Sequence, residues 1–367
     1  MNDLTSLFEQ MVWLVARFRI PLLFLGCAAL GAAGAWLIAG MAFREHLLDT
    51  PNERSSHTIP TPRGGGAGIL AAFIMAGLTL RIPTTFLFAA ILISAVSFYG
   101  DYIRISVKFR LVVQCASACI LLFPLLPRLT AQYALSNFGF SPLIFFLILP
   151  LIFIFLIGTA NFYNFMDGIN GIAGLSGVIG FGLLGLATLY RLPPDAFQNA
   201  LSLLSICVSL ACLGYLPFNM PRARVFMGDG CSILLGFVFA GLVVTLSRNY
   251  LEMVCLAALF FPFYADELTT MAFRIRDHEN LTRSHRRHLY QLLVNEFGIG
   301  HGKISAAYGA AQLVVGAGVL IAYPFGVSAV LIFLTVCFAG FTFLTRHIRK
   351  IAHQQETSAS PVGKTRI

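Results

Sequence analysis

The chain has 367 residues, of which 57% are hydrophobic and only 11% are charged. Soluble domains contain about 25% charged residues, so this composition excludes an ordinary water-soluble protein. The formal net charge of +9 is explained by basic residues beside apolar segments, where anionic lipid headgroups attract them. We therefore expect membrane lipids as partners and no nucleic acid.

Eleven apolar stretches follow one another along the chain, each close to the roughly 20 residues that cross the hydrocarbon core of a bilayer. They lie near residues 20–42, 67–82, 84–100, 110–127, 142–160, 172–190, 197–216, 231–247, 251–273, 303–323 and 327–345. The sequence therefore predicts an all-α, polytopic integral membrane protein with about 11 transmembrane helices. No linker divides them, so residues 1–350 are expected to form a single transmembrane domain. The polar residues 351–367 are expected to be a disordered cytoplasmic tail.

The basic residues predict how these helices are oriented. Of the 25 lysines and arginines, 19 fall in the C-terminal tail or in loops on the side that carries residues 161–170. By the positive-inside rule that side is cytoplasmic. Because the predicted number of spans is odd, the N-terminus is then outside and the C-terminus is in the cytoplasm.

The first cytoplasmic loop, RSSHTIPTPRGGGAG at 54–68, contains one arginine followed by three glycines: Arg63, Gly64, Gly65 and Gly66. Consecutive glycines allow close backbone approach, so this segment is a candidate cradle for a phosphate or a sugar. A flexible turn between two helices is the commoner use of such a run. Alone, the glycines do not decide between these interpretations.

The third cytoplasmic loop contains four polar residues between two apolar runs. NFYNFMDGIN at 161–170 has three asparagines and one aspartate at intervals of three: Asn161, Asn164, Asp167 and Asn170. The glycines that follow make an unbroken helix unfavourable, and a helix that ends near Asp167 would let the set converge on one ligand. Turn capping is the ordinary use of Asn and Asp, but it accounts poorly for all four.

Other carboxylates lie at the cytoplasmic ends of predicted helices. Asp101 follows the third span and taken alone suits a helix cap or an ion pair. Asp229 stands between two glycines just before the eighth span, and Asp266 and Glu267 lie within the ninth. Several carboxylates at one membrane face indicate a divalent cation, and these hard oxygen ligands suit Mg²⁺ or Mn²⁺.

The longest cytoplasmic loop, residues 274–303, contains five arginines and four histidines. Arginine forks suit a diphosphate, and histidine suits phosphate binding or proton transfer near neutral pH. A solvated basic loop at an anionic membrane surface is the alternative for each residue taken singly.

Together these motifs resemble the polyprenyl-phosphate N-acetylhexosamine-1-phosphate transferases of glycosyltransferase family 4, which include phospho-MurNAc-pentapeptide translocase. The residues that carry the resemblance are RSSHTIPTPRGGG (54–66), NFYNFMDGINGIAG (161–174), VFMGDGCSILLGF (225–237) and SHRRHLYQ (284–291). They follow the family's order, each in a cytoplasmic loop. The SHRRHLYQ form is similar to the antigen-initiating branch.

The resemblance implies an enzyme that transfers sugar-1-phosphate from a UDP-N-acetylhexosamine to undecaprenyl phosphate and releases UMP. The product would start a cell-surface polysaccharide such as the O-antigen of lipopolysaccharide. The resemblance also implies Mg²⁺, and it places the protein in the bacterial inner membrane with its active site on the cytoplasmic face. GlcNAc, FucNAc and QuiNAc all suit the donor, direct and double displacement stay open, and so does a homodimer.

The resemblance also assigns roles by position. Asp229 is expected to bind the metal, with Asp167 beside it. The expected catalytic residues are Asp101, Asp167, His285 and His288. The expected substrate-binding residues are Arg63, Gly64, Gly65, Gly66, Asn161, Asn164, Asn170, Arg283, Arg286 and Arg287. At position 170 some relatives have an aspartate, so a direct charged role there is not expected.

One departure from the family concerns the residues after the third span. The family has two adjacent aspartates there, whereas this chain has SFYGDY at 97–102. Depending on a one-residue shift in the alignment, either Gly100 or Tyr102 replaces the missing aspartate. This loss leaves a catalytically inactive paralogue open beside an active transferase. A transporter for a nucleotide-sugar or a lipid-linked sugar is a separate alternative.

Overall fold

The computed structural model describes residues 2–40, 48–51, 56, 59–103, 105–134, 142–189, 195–280 and 286–359. It is 82% helical with almost no sheet. The prediction of an all-α, polytopic membrane protein is therefore confirmed.

The described residues form fourteen α-helices that follow one another along the chain. They are α1 (Asn2–Ala39), α2 (Ala67–Thr79), α3 (Thr84–Tyr102), α4 (Val107–Leu122), α5 (Leu126–Ala134), α6 (Pro142–Met166), α7 (Ile172–Leu189), α8 (Ala196–Asn219), α9 (Asp229–Leu246), α10 (Tyr250–Ala257), α11 (Phe261–Arg276), α12 (Leu289–Asn295), α13 (His301–Ala322) and α14 (Val327–Ala359). Between α1 and α2, strands β1 (Leu48–Asp49) and β2 (Thr61–Pro62) pair antiparallel, with Leu48 opposite Pro62.

Nine helices in the described residues are long and apolar enough to cross a membrane. Two predicted spans correspond to shorter pieces. Helix α2 has only 13 residues, and a 3₁₀ turn at Ala258–Phe260 separates α10 from α11. Pro262, in the first turn of α11, lacks the N–H that an unbroken helix would need there. Each predicted span coincides with helical structure, whereas the count of 11 and the orientation stay predictions.

Helix α9 lies at the centre of the bundle and packs against α3 and α6. It is apolar on all sides, as expected for a buried helix, and 94% of its residues are buried. The helices approach closely, because a Cβ at Gly236 would lie only 2.5 Å from the carbonyl oxygen of Thr159. This packing fixes the N-terminus of α9, where Asp229 is the first helical residue.

The last helix extends beyond the predicted boundary of the transmembrane domain. Helix α14 continues from Val327 through Ala359, past residue 350. The domain boundary and the disorder of the tail stay predictions. Residues 360–367 lie outside the described part of the chain.

Candidate active site

Several helix ends meet at one polar cavity of about 260 Å³. Helices α6 and α8 end beside it, and α9 and α13 begin there. Its lining residues come from eight segments of the chain: Asp49, Ser56, Arg63, Asn164, Asp167, Gly168, Ile169, Asn170, Asn219, Phe226, Gly228, Asp229, Gln291 and His301. The fold thus brings together polar residues from separate loops that the sequence marks as site candidates.

The turn between α6 and α7 places three of the four polar residues of 161–170 at this cavity. Helix α6 ends at Met166, as expected, and Gly171 has a φ of +88°, which glycine adopts without strain. The N–H of Gly171 donates to Oδ1 of Asn219 at 2.6 Å, so the turn is anchored to the end of α8. Asn164 and Asn170 line the cavity on either side of Asp167.

Asn161 is not among the described residues that line the cavity, and its assignment as a substrate-binding residue stays a prediction. Its side-chain amide forms two hydrogen bonds with Gln114 of α4. Asn161 lies one helical turn before Asn164 in α6. The side chain of Asn161 faces α4 inside the bundle, whereas that of Asn164 faces the cavity.

The carboxylate of Asp167 faces the cavity, and no described residue donates a hydrogen bond to it or forms an ion pair with it. Burial, and then the negative charge of Asp229, raise the pKa of the Asp167 carboxyl well above its ordinary value, while Arg63 opposes this shift. A recessed carboxylate without a donor favours a cation or a proton.

Asp229 has two protein partners. Arg110 of α4 approaches Oδ2 with Nη1 at 3.0 Å, and Nδ2 of Asn164 donates to Oδ1 at 3.0 Å. Asn164 also donates to the hydroxyl of Ser232 at 2.9 Å. These contacts orient the Asp229 carboxylate at the start of α9.

Asp101 lies behind Asp229 and does not line the cavity among the described residues. Its oxygens face the backbone N–H groups of Asp229 and Gly230, at 3.3 Å and 3.5 Å. These are the first N–H groups of α9, which have no acceptor within the helix. Asp101 therefore caps α9 from a neighbouring helix, and its catalytic role stays a prediction.

The glycines at 64–66 lie against the segment that leads into α9. The N–H of Gly65 donates to the carbonyl of Phe226 at 2.9 Å, and that of Gly66 to the carbonyl of Met227 at 3.1 Å. A Cβ at Gly66 would lie 2.2 Å from the Cβ of Cys231. Because these two N–H groups are already bound, Gly65 and Gly66 serve close packing against 225–231. The substrate-binding role of Gly64, Gly65 and Gly66 stays a prediction.

Arg63 lines the cavity and pairs with Asp49 at 2.7 Å. Burial alone would lower the pKa of its guanidinium, but the hydrogen bond and charge of Asp49, together with Asp229 and Asp101, raise it. Arg63 therefore stays protonated and lines the same cavity as Asp167 and Asp229, where it could bind an anionic ligand.

The basic loop contributes less to the cavity than expected. Arg283 and His285 lie outside the described residues, and neither Arg286 nor Arg287 is part of the described lining. Arg287 forms ion pairs with Asp277 at 3.2 Å and with Glu279. A role of these arginines in phosphate binding stays a prediction.

His288 lies away from the cavity lining, between two carboxylates of α11. Its Nδ1 is 3.4 Å from Oδ1 of Asp266, and its Nε2 is 3.5 Å from Oε1 of Glu267. Asp266 also accepts hydrogen bonds from the N–H of Leu289 and from the hydroxyl of Tyr308, at 3.0 Å and 2.6 Å. Asp266 and Glu267 therefore hold α12 against the bundle, and they are not among the described residues that line the cavity.

Asp49 and Asn219 are polar lining residues that the sequence analysis did not name, whereas Ser56, Gln291 and His301 lie in segments that it identified, at 54–66, 284–291 and 274–303. His301 accepts a hydrogen bond from the N–H of Asn170 through Nδ1 at 3.2 Å. Asn219 lies at the start of the segment FNMPRARVFMGDG, which leads into the motif VFMGDG. Its position close to this motif could have identified it as a candidate site residue. Asp49 is a single polar residue in polar surroundings, and nothing local distinguishes it.

The residues present fit a divalent cation. The described residues contain no group of three His, Cys, Asp or Glu side chains arranged for a metal. Mg²⁺, however, is usually held by one or two carboxylates together with substrate phosphates and water. Asp167 and Asp229 supply hard oxygen donors in one cavity, and the Asp167 carboxylate has no described partner.

The fold and the cavity define a polytopic helical membrane protein with a carboxylate-lined polar site where its helices end. The family model for glycosyl transferase family 4 matches residues 83–247, a range that includes Asp101, Asp167 and Asp229. Over these residues the chain is similar to this family. The resemblance drawn from the four motifs is confirmed at that level.

Individual relatives agree with the family model. Decaprenyl-phosphate N-acetylglucosaminephosphotransferase of Mycobacterium leprae is 25% identical over 82% of each chain. A probable undecaprenyl-phosphate N-acetylglucosaminyl 1-phosphate transferase of Bacillus subtilis is 24% identical over 72% of this chain and 74% of the relative. Over 60 residues, 16% of each chain, the identity to phospho-N-acetylmuramoyl-pentapeptide-transferase of Corynebacterium kroppenstedtii is 50%.

Proposed function

We propose that the chain transfers N-acetylhexosamine-1-phosphate from a UDP-sugar to undecaprenyl phosphate at the cytoplasmic face of the bacterial inner membrane. The reaction releases UMP and starts synthesis of a cell-surface polysaccharide such as O-antigen. The names of the Mycobacterium leprae and Bacillus subtilis relatives combine a polyprenyl phosphate with the transfer of N-acetylglucosamine phosphate. UDP-GlcNAc is therefore the first donor to test.

The observation that carries the proposal is the presence of Asp167, Asp229 and Arg63 on the wall of one polar cavity. Two carboxylates suit a cation, and an arginine suits a phosphate. The N-termini of α9 and α13 at the same cavity add partial positive charge, which favours an anionic ligand.

The transfer forms one bond and breaks another at the same phosphorus. An oxygen of the lipid phosphate bonds to the phosphorus that carries the sugar, and the bond from that phosphorus to the bridging oxygen breaks. The bridging oxygen and its electron pair leave with UMP. Enzymes catalyse such transfers mainly by positioning the reactants and neutralising their charge.

The side chains of the cavity suit that task. Arg63 would bind diphosphate oxygens, while Asn164 and Arg110 keep the Asp229 carboxylate in place. Mg²⁺ or Mn²⁺, held by Asp229 and Asp167, would neutralise the diphosphate and stabilise the leaving UMP. Asn170 and His301 lie on the same wall and would contact the donor.

The test is UMP release by the purified protein with undecaprenyl phosphate, Mg²⁺ and a panel of UDP-N-acetylhexosamines. We expect release with at least one donor, and loss of release in Asp167→Asn and Asp229→Asn. Asp277→Asn is the matched control, because Asp277 is a carboxylate outside the cavity that pairs with Arg276 and Arg287.

Other outcomes identify the alternatives. Donor binding by the folded protein without UMP release from any donor would indicate an inactive paralogue. Movement of a nucleotide-sugar or a lipid-linked sugar across proteoliposomes, again without UMP release, would indicate a transporter.

A further inference from the structure

Helix α4 reaches the metal-binding candidate through Arg110, a residue of its first turn. Its Nη1 pairs with Oδ2 of Asp229 at 3.0 Å, and Oδ1 already accepts a hydrogen bond from Asn164. The guanidinium and the carboxylate are 27% and 34% exposed, so solvent screens this pair only in part. Both oxygens of Asp229 are therefore bound by the protein itself.

The other edge of the same guanidinium lies across Gly100 of α3. Nη2 donates to the carbonyl of Gly100 at 3.3 Å. A Cβ at position 100 would lie 2.9 Å from Nη2 and 3.2 Å from Nε of Arg110. Any side chain there would push the guanidinium aside, so the missing side chain at position 100 is what lets Arg110 rest against α3 and reach Asp229.

One donor of Arg110 has no described partner. Its Nε is buried and finds no acceptor among the described residues. A guanidinium with an unused N–H group can bind a second anionic oxygen. Asp229, which pairs with Nη1 of Arg110, lines the cavity where the diphosphate of the UDP-sugar is proposed to bind.

We propose that Arg110 is the resident counter-ion of Asp229 and that Arg110 and Gly100 together set the affinity of Asp229 for a divalent cation. A cation at Asp229 must displace the guanidinium from Oδ2 or bind beside its positive charge, and both weaken cation binding. The diphosphate of the donor attracts the cation and offers Arg110 a replacement acceptor. The cation and the donor therefore bind together. This inference rests on the proposed function, because it takes Asp229 as a cation ligand.

The test uses Mn²⁺ alone, without substrates, bound to the purified full-length chain in detergent and followed by the electron paramagnetic resonance of free Mn²⁺. Arg110→Gln should lower the Kd for Mn²⁺ about tenfold, equivalent to about 1.4 kcal/mol. Gly100→Ala should shift the Kd in the same direction by less, although it changes no charge. Lys108→Gln is the matched control, because it removes a positive charge from the same turn of α4 at an exposed side chain.

The outcomes separate this inference from the proposed function. A Kd in Arg110→Gln no lower than in Lys108→Gln would overturn the counter-ion role. If Arg110→Gln does not fold, an unchanged Kd in folded Gly100→Ala overturns it equally. Retained Mn²⁺ binding in Asp229→Asn, by contrast, would contradict the cation assignment on which the proposed function rests.

Discussion

The side chains of Asn161 and Gln114 face each other between α6 and α4 and exchange two hydrogen bonds. Nε2 of Gln114 donates to Oδ1 of Asn161 at 3.1 Å, and Nδ2 of Asn161 donates to Oε1 of Gln114 at 2.8 Å. Gln114 is only 4% exposed, so an amide left without its partner there would be costly. This pair joins two helices inside the bundle, one turn away from the cavity.

We expect Gln114→Leu to destabilise the fold by about 1–3 kcal/mol, because it leaves the amide of Asn161 without its partner. The double variant Gln114→Leu with Asn161→Leu should recover most of this loss, since no polar group is then left unpaired. Thermal unfolding in detergent measures both effects. If Asn161→Leu raised the KM for the donor as strongly as Asn164→Leu, Asn161 would belong to the binding site and this structural role would be wrong.

The ionised carboxylate of Asp167 is expected to lower the stability of the folded protein, although UMP release requires it. Burial and the charge of Asp229 raise the pKa of its carboxyl above the ordinary 3.8, so ionisation of Asp167 disfavours the folded state as pH rises above that value. Asp167→Asn should therefore raise the unfolding temperature near pH 7 in the absence of divalent cations, and should lower UMP release by at least about 100-fold. Differential scanning fluorimetry beside the UMP assay tests both parts. A lower unfolding temperature in Asp167→Asn would contradict the assignment.

Much of the fold could be predicted because its determinants are local. An apolar run of the right length is a membrane helix wherever it occurs, so the helices were found. Asn164, Asp167 and Asp229 were found because polar residues between apolar runs are costly without a use. The sequence does not show that Asn161 pairs inside the bundle while Asn164 lines the cavity. This difference depends on Gln114, which lies 47 residues before Asn161.

The role of the glycines at 64–66 could not be read from the sequence for a related reason. A GGG run shows only that the backbone can approach something closely, and the partner is chosen by tertiary structure. Here the partner is the segment that leads into α9. In the same way, Asp49 and Gln291 reach the cavity only because distant elements fold onto it.

Gly66→Ala tests that reassignment. The added Cβ would meet the Cβ of Cys231 at 2.2 Å, and neither Cβ can move without its backbone, so we expect a loss of stability of about 1–3 kcal/mol or more. A phosphate cradle would instead predict a raised KM for the donor with stability unchanged. Gly158→Ala is the matched control, because nothing lies within 4 Å of its added Cβ, and it should be neutral or slightly stabilising. Unfolding and donor kinetics are measured on the same preparations.

Gly100→Asp is expected to redirect Arg110. An aspartate at position 100 would place a carboxylate beside Nη2 and Nε, the edge of the guanidinium that now lies over Gly100. The ion pair with Asp229 should weaken, and Mn²⁺ should bind more tightly than in the natural chain. Gly100→Asn should reproduce part of this gain without adding charge, and it should add nothing when Arg110 is already glutamine. A natural Kd in both variants would show that position 100 does not control Asp229.

The pH dependence of stability should report on His288. This residue is only 3% exposed. Burial alone would lower the pKa of its imidazole, but the contact with Asp266 and the charges of Asp266 and Glu267 outweigh burial and raise it above the ordinary 6.5. The folded state therefore binds the proton more tightly than the unfolded state does. The stabilisation is complete below about pH 6.5 and is lost as pH rises through the folded-state pKa.

Thermal unfolding between about pH 6 and pH 9 should accordingly show a fall in unfolding temperature that is smaller in His288→Gln, where the contribution of Asp167 remains. His347→Gln, which removes an exposed histidine of α14, should keep the full fall. His288→Gln should also be less stable than the natural chain at pH 6, because Asp266 and Glu267 then lose a buried cationic partner. If the fall is as large in His288→Gln as in the natural chain, His288 does not contribute to it. If stability at pH 6 is unchanged, the imidazole does not hold α12 through these carboxylates.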